Sequence, residues 1–252
     1  MIAAQRRNVI LDSLRLDGAV SIADLAARLG TSEVTIRRDL AHLHNAGLLT
    51  RTHGGAVADT STRERSYSEK AGQAMAEKRA IGRLAATLVD DGDVIIVGPG
   101  TTTEAFAWSL RDRVRLTVVT NSLPVAEAFV ASTENEVIMT GGTLRGSIRA
   151  LVGEATNRAL RGIYADKTFL SGNGLVSDFG LSTPSMSVAD SDRAMAAAGR
   201  EVIVLADHTK FGLRAAIQTL DPTAIGRLVT DHLTSGDAVA SFRQLGVRVD
   251  VS

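Results

Sequence analysis

The chain contains no cysteine. Disulfides, thiol nucleophiles and cysteine-ligated metal are thereby excluded, and the composition fits a reducing compartment. Aromatic residues make up 4% of the sequence and proline occurs only four times, whereas hydrophobic residues reach 44%. A core must be built from Ala, Val, Leu and Ile, and short Val/Ile runs suggest buried strands. No charge sign dominates: 28 Lys+Arg oppose 28 Asp+Glu, so a polyanionic partner has to be met by local placement of cations. No window approaches 18 uncharged apolar residues, and the first stretch, MIAAQRRNVILDSLRLDG, carries charges inside its apolar pattern. Neither a membrane span nor a secretory leader is expected, and a cytoplasmic location is. The 252 residues suit one or two domains.

What is present falls into two patterns. Between Ala4 and Leu16, Val9, Ile10, Leu14 and Leu16 recur at helical spacing. Ser21, with Asp24 three residues on, caps a second helix over 22–29 that Gly30 ends. Ser32 caps a third, in which Ile36, Leu40 and Leu43 share one face while Glu33, Val34, Arg37, Arg38 and Ala41 lie elsewhere. Leu48 to Thr52 and Ala56–Val57 flank Gly54–Gly55 as a two-stranded wing. This order is that of a winged helix-turn-helix, whose second motif helix enters the DNA major groove. Arg37 and Arg38 on its free face can reach guanine O6/N7 or phosphate, with Ser32, Glu33, Val34 and Thr35 at the helix start and Arg51 and His53 on the wing. Residues 1–65 hold nine Lys/Arg against seven acids, so placement carries this expectation, not charge excess. His42 and His44 point in different directions from their helix and lack a carboxylate cluster, so no metal site is expected.

Residues 59–74 begin with the Ser/Thr-rich, charged run DTSTRERSYSEKAG and read as a linker between a first domain, 1–58, and a second, 75–252. The second pattern alternates helix and strand: helix over 76–90, strand 94–97, helix 103–110, strand 116–119, helix 124–131, strand 137–139, then strands at 167–170, 202–205 and 228–229. That pattern predicts an α/β domain with an open, largely parallel sheet, and ligands bind such sheets at the carboxyl ends of the strands. The loops there are rich in Gly and hydroxyls. Gly98, Gly100, Thr101, Thr102 and Thr103 open a helix and suit an anion; Asn121 and Ser122, Gly141 and Gly142, and Gly172 follow later strands. Arg145 and Lys210 can balance the anion's charge. The third glycine of a dinucleotide fingerprint is missing after Gly98–Pro99–Gly100, so no nucleotide cofactor is expected.

Both halves resemble the DeoR family of bacterial transcriptional repressors. In the first half the likeness lies in Arg6, Ile10 and Leu14, in Ser32-x2-Thr35-Ile36-Arg37-Arg38-Asp39-Leu40 and in Gly47-Leu48-Leu49-x-Arg51-x-His53-Gly54-Gly55-Ala56. In the second it lies in Gly100-Thr101-Thr102-Thr103, Thr120-Asn121-Ser122-Leu123, Gly141-Gly142-x-Leu144-Arg145, Leu151-Val152-Gly153, Asp166-Lys167, Gly180-Leu181-x-Thr183-Pro184, Lys210-Phe211-Gly212 and Thr230-Asp231. The resemblance implies a sensor domain similar in fold to ribose-5-phosphate isomerase, in which Asp166 and Lys167 join the effector-binding candidates. It further implies a homodimer or larger homo-oligomer that binds double-stranded operator DNA and releases it on binding a phosphorylated sugar. Gly98–Pro99 stands where the family usually carries an acidic residue and a small one, and Asp192 where a Lys is common. An isomerase-like enzyme, with Asp166 or Asp207 as base and Lys167 or Lys210 as electrophile, is the competing expectation. An architectural DNA binder leaves the anion-ready loops unexplained.

Overall fold

The computed structural model describes residues 3–17, 19–45, 49–52, 54–58 and 66–252. The chain divides into two compact units, Met1–Arg63 and Glu64–Ser252.

In the first unit, helix α1 (Ala3–Asp17) is followed by a short strand β1 (Ala19–Ser21), helices α2 (Ile22–Leu29) and α3 (Glu33–Asn45), and strands β2 (Leu49–Thr52) and β3 (Gly55–Ala58). Ser21 accepts a hydrogen bond from Asp24 N at 3.0 Å and starts α2, and Gly30 ends it in the left-handed conformation. Ile10, Leu14, Leu25, Ile36, Leu40 and Leu43 close over one another from the three helices, and Leu49 and Ala56 complete the core from the strands. Removing each such Leu or Ile from water contributes about 1.5–3 kcal/mol. The expected hairpin forms as β2–β3, but Gly55, expected in the turn, is the first residue of β3 and pairs with Thr52. The sheet has a third strand, however: β1 pairs antiparallel with β3, Ser21 opposite Gly55. A Cβ on Gly55 would lie 1.9 Å from Val20 O, so glycine is what allows β1 to approach. Three residues carry too little alternation to announce that strand.

The second unit opens with helices α4 (Tyr67–Ala71) and α5 (Met75–Ala86), then β4 (Val94–Val97), α6 (Thr101–Ser109), β5 (Thr117–Thr120), α7 (Leu123–Glu127) and β6 (Glu136–Met139). A hairpin, β7 (Thr143–Arg145) and β8 (Ala150–Val152), leads through α8 (Glu154–Ala159) to β9 (Ala165–Leu170). Then come β10 (Gly174–Val176), β11 (Gly180–Thr183), α9 (Met186–Ala197), β12 (Gly199–Leu205), β13 (Ile217–Leu220), β14 (Arg227–Thr230), α10 (Gly236–Gln244) and β15 (Arg248–Val251). Seven strands form one sheet in the order β15-β14-β12-β9-β4-β5-β6, every pair parallel. A separate antiparallel sheet joins β10, β11 and β13. Alternation along β4 sends Ile95 and Val97 to the layer of α5 and α6, and Ile96 to the layer of α9 and α10.

Helix α4 lies inside the stretch that composition assigns to a linker. Its start is fixed locally: Ser66 Oγ accepts from Glu69 N, and the Glu69 carboxylate accepts from Ser66 N at 2.6 Å, a reciprocal cap. Lys78 of α5 then donates to Lys70 O at 2.6 Å and Gln73 O at 2.7 Å, which ties α4 to α5.

Candidate functional site

On the first unit, α3 turns Ile36, Leu40 and Leu43 inward and leaves Glu33, Val34, Arg37 and Arg38 exposed. Ser32 Oγ accepts from Thr35 N and lies 3.0 Å from Thr35 Oγ1, so both hydroxyls serve the helix start. Arg37 reaches Glu33 across one turn at 3.1 Å, an exposed pair that costs little to break. Asp39, by contrast, is buried and takes Arg6 at 2.6 Å and Arg7 at 2.9 Å, locking α1 onto α3 beneath the exposed face. His44 Nδ1 lies 3.0 Å from Leu49 O and joins α3 to β2, a structural role. Arg51 is exposed on the hairpin, whereas His53 lies outside the described residues. Among the described residues there is no cluster with metal-ligand composition, and no helix is long and apolar enough to cross a membrane.

In the second unit the strand order reverses between β4 and β9: the chain runs outward from β4 to β6, returns to β9 beside β4, and then runs outward to β15. Loops leaving two such strands diverge and open a crevice. A narrow cleft lies there. Pro99, Gly100, Thr101 and Thr102 reach it from the end of β4, and Ser171, Gly172 and Asn173 from the end of β9. Tyr67 and Lys70 of α4, Ile148, Thr183, Val188 and Asp192 of α9, and Lys210 complete the lining.

The geometry favours a small anion. Gly100 begins α6 at φ 149° and offers no side-chain cap, so the first N–H groups of that helix face the cleft with the positive end of the helix dipole. Thr103 is buried and its hydroxyl turns back to Gly100 O at 3.0 Å, holding the turn. Lys210 Nζ stands 4.0 Å from the buried Asp207 carboxylate, whose other oxygen accepts from Thr209 N at 3.0 Å. Tyr67 is fixed on three sides: its N–H donates to Ser147 O at 2.7 Å, its hydroxyl donates to Glu104, and the Arg149 guanidinium lies over its ring. Burial, and then the hydrogen bond to the Glu104 carboxylate, push the Tyr67 hydroxyl's pKa up. Asp192 is buried and its Oδ1 has no hydrogen-bond partner. Burial pushes its pKa up to about 8, against the opposing charges of Lys70 and Arg193.

Of the residues expected around the effector, Gly100, Thr101, Thr102, Gly172 and Lys210 meet at this cleft. The others do not line it. Gly98 donates to Phe169 O at 2.9 Å and ties β4 to β9 below the opening. Asn121 donates to Leu151 O and Ser122 caps α7, so both hold the β7–β8 hairpin and its surroundings. Gly141 O accepts from Thr156 at 2.7 Å, Gly142 packs against Val152 and Thr156, and Arg145 lies on β7. Asp166 and Lys167 stand near the amino end of β9, at the opposite edge of the sheet. Lys167 pairs with Asp93 at 2.6 Å and Asp166 accepts from Val94 N at 3.0 Å. Burial would raise the Asp93 carboxyl, but the Lys167 hydrogen bond and charge outweigh it and hold its pKa below the usual value. This pair clamps strand starts. Tyr67 and Lys70 were missed because they lie in the stretch read as a linker; Ser171 and Asn173 flank the candidate Gly172, and Thr183 stands in the Gly180-Leu181-x-Thr183-Pro184 match, so a neighbouring signal existed for these three although none was named as a contact.

An exposed recognition-type helix on one unit and an anion-ready cleft on the other define a ligand-responsive DNA-binding regulator. The chain belongs to the DeoR family: residues 6–62 match the DeoR-like helix-turn-helix domain and residues 73–232 the DeoR C-terminal sensor domain. It is 37% identical over 232 residues to the uncharacterized HTH-type transcriptional regulator YgbI of Escherichia coli strain K12, covering 92% of this chain and 91% of that protein. It is 34% identical to a lactose phosphotransferase system repressor of Staphylococcus aureus strain N315, covering 82% of this chain and 84% of that one. Among solved structures, ribose 5-phosphate isomerase A of Methanocaldococcus jannaschii aligns with a TM-score of 0.40 at 18% identity over 53% of each chain.

Proposed function

We infer that this protein represses genes of carbohydrate catabolism by binding double-stranded operator DNA as a homodimer or larger homo-oligomer, and that a phosphorylated sugar or related small anion releases it. The observation that carries the reading is the cleft at the strand-order reversal, which the uncapped start of α6, Lys70 and Lys210 border together. That arrangement suits phosphate: backbone N–H groups point at it, the dipole favours it and the lysines offset its charge. The name of the Staphylococcus relative supports a carbohydrate operon as the target. Exposed Arg37 and Arg38 on α3, with Arg51 on the hairpin, supply contacts to base edges and phosphates.

An isomerase-like reading has less support. Of its candidate acid and base groups, Asp166 and Lys167 are held at the far edge of the sheet, and an Asp207 oxygen is taken by Thr209. A gel-shift assay on the DNA upstream of the gene, run against a panel of pentose and hexose phosphates, tests the regulator reading. The expected result is that one phosphate releases the operator, and that Lys210→Ala raises the concentration needed about tenfold or more through loss of a charged contact. Release by the same concentrations in both proteins would move the effector away from this cleft.

A further inference from the structure

Among the described residues, Asp192 is the one acidic side chain on the walls of the cleft, and its Oδ1 is buried without a hydrogen-bond partner. The Ser191 hydroxyl donates to Ser187 O at 3.0 Å, and Arg193 turns away to Asp190 at 3.0 Å and to Gln218 O. Across the cleft, the Tyr67 hydroxyl is spent on Glu104, and Thr183 Oγ1 on Asn173 Oδ1 at 3.4 Å. A buried polar atom left in this way is satisfied by what fills the cavity.

Resting on the effector reading above, we propose that Asp192 selects the ligand: the effector is a hydroxyl-bearing anion whose charged end sits at the start of α6 beside Lys210 and whose hydroxyl bonds to the Asp192 carboxyl. The surroundings decide the chemistry of that second contact. A ligand ammonium at Asp192 would also face Lys70, whose charge already reaches this carboxyl. A second ligand anion would lie beside the apolar walls Ile148 and Val188 and against Asp192 itself whenever that group ionises. A hydroxyl carries no charge and both donates and accepts, so it pairs with the carboxyl in either protonation state. Burial keeps Asp192 mostly neutral at pH 7, which spares an anionic ligand a like charge.

The test is calorimetric titration of the full chain with inorganic phosphate, ribose 5-phosphate, glucose 6-phosphate and glucosamine 6-phosphate. In the wild type a sugar phosphate without an amine binds most tightly, ahead of inorganic phosphate and of the amino sugar. Asp192→Leu, of similar size and without oxygen, lowers the ratio of sugar-phosphate to inorganic-phosphate affinity about tenfold, the worth of a buried hydrogen bond. Asp192→Asn, which keeps the carbonyl oxygen, retains most of the ratio. Asp192→Ala gives the same loss as leucine and is read instead should the leucine variant not fold. A ratio equal in wild type and Asp192→Ala, or a preference for the amino sugar, overturns the role of Asp192 and leaves the effector reading standing. Failure of every phosphate to bind the wild type overturns both.

Discussion

Two buried aspartates are predicted to change stability with opposite signs. Asp39 lies against two guanidiniums, so Asp39→Ala leaves Arg6 and Arg7 without the carboxylate that joins α1 to α3. Because hydrogen bonds to charged groups are worth about 1.5–3 kcal/mol each and two are lost, the first unit should lose roughly 3–5 kcal/mol, read as a lower denaturant midpoint. Asp192 has no such partner. Its carboxyl titrates near 3.8 in the unfolded chain and near 8 in the native one, so between those values the unfolded state gives up a proton that the native state keeps. Stability is greatest below pH 4 from this group alone and is lost as pH rises toward 8. Melting of the ligand-free protein between pH 5 and pH 8 should show that loss, and Asp192→Asn should flatten it; parallel curves for the two proteins would refute the assignment. At this scale the sequence was legible where a period made it so. Ile36, Leu40 and Leu43 announce the buried face of α3, and hence the exposed one. Asp192 is marked only as a departure from the family, standing where a Lys is common; its run Ala-Asp-Ser-Asp-Arg has no apolar period that shows α9 turning it into the cleft. Asp166 and Lys167 misled for a related reason: a motif marks a strand without saying which end of it faces the ligand.

Elements were recovered where apolar runs are long enough to count. The run Val94 to Val97 and its counterparts at 117–120, 136–139, 165–170, 199–205 and 227–230 become parallel strands, and the three helices expected over 76–90, 103–110 and 124–131 are found as α5, α6 and α7 within a few residues of those spans. Other elements were not recovered: strands β1, β7, β8, β10, β11, β13 and β15 are short and owe their form to tertiary partners, and helices α8, α9 and α10 were not marked by their spacing. Helix α4 was hidden by its composition, since Ser66, Ser68 and charged residues resemble a linker, although the Ser66-x-x-Glu69 spacing is a capping signature. The β1 pairing yields a prediction of its own. Gly55→Ala places a methyl against Val20 O, which is backbone and cannot rotate away. The sheet of the first unit must then open at β1, at a cost of about 2–4 kcal/mol by analogy with other steric faults in a packed site. Hydrogen exchange in the full-length protein should quicken at Ala19 to Ser21 and at Ala56–Val57 while the second unit keeps its protection. Unchanged exchange there would show that β1 is not held by this contact.

Across the whole molecule, 28 cationic and 28 anionic residues leave no net field, so DNA affinity must come from a few placed cations on each copy. Arg37, Arg38 and Arg51 are the exposed arginines on α3 and the hairpin. Each phosphate neutralised contributes about 0.9 to the slope of log affinity against log salt, so one copy supplies a slope of about −3 and two copies about −5. The slope therefore reports how many first units touch the operator. Fluorescence anisotropy between 50 and 200 mM salt, ranges over which such slopes are commonly read, is expected to give the steeper value, with half-sites about one helical turn apart or a multiple of it. Arg38→Ala should flatten the slope by about two, one contact from each half-site, if Arg38 meets phosphate. Should Arg38 instead read a base, the slope stays and the preference for one base pair in each half-site relaxes. A slope near −3 in the wild type, with a footprint confined to a single half-site, would mean that one copy suffices and would refute the oligomeric reading.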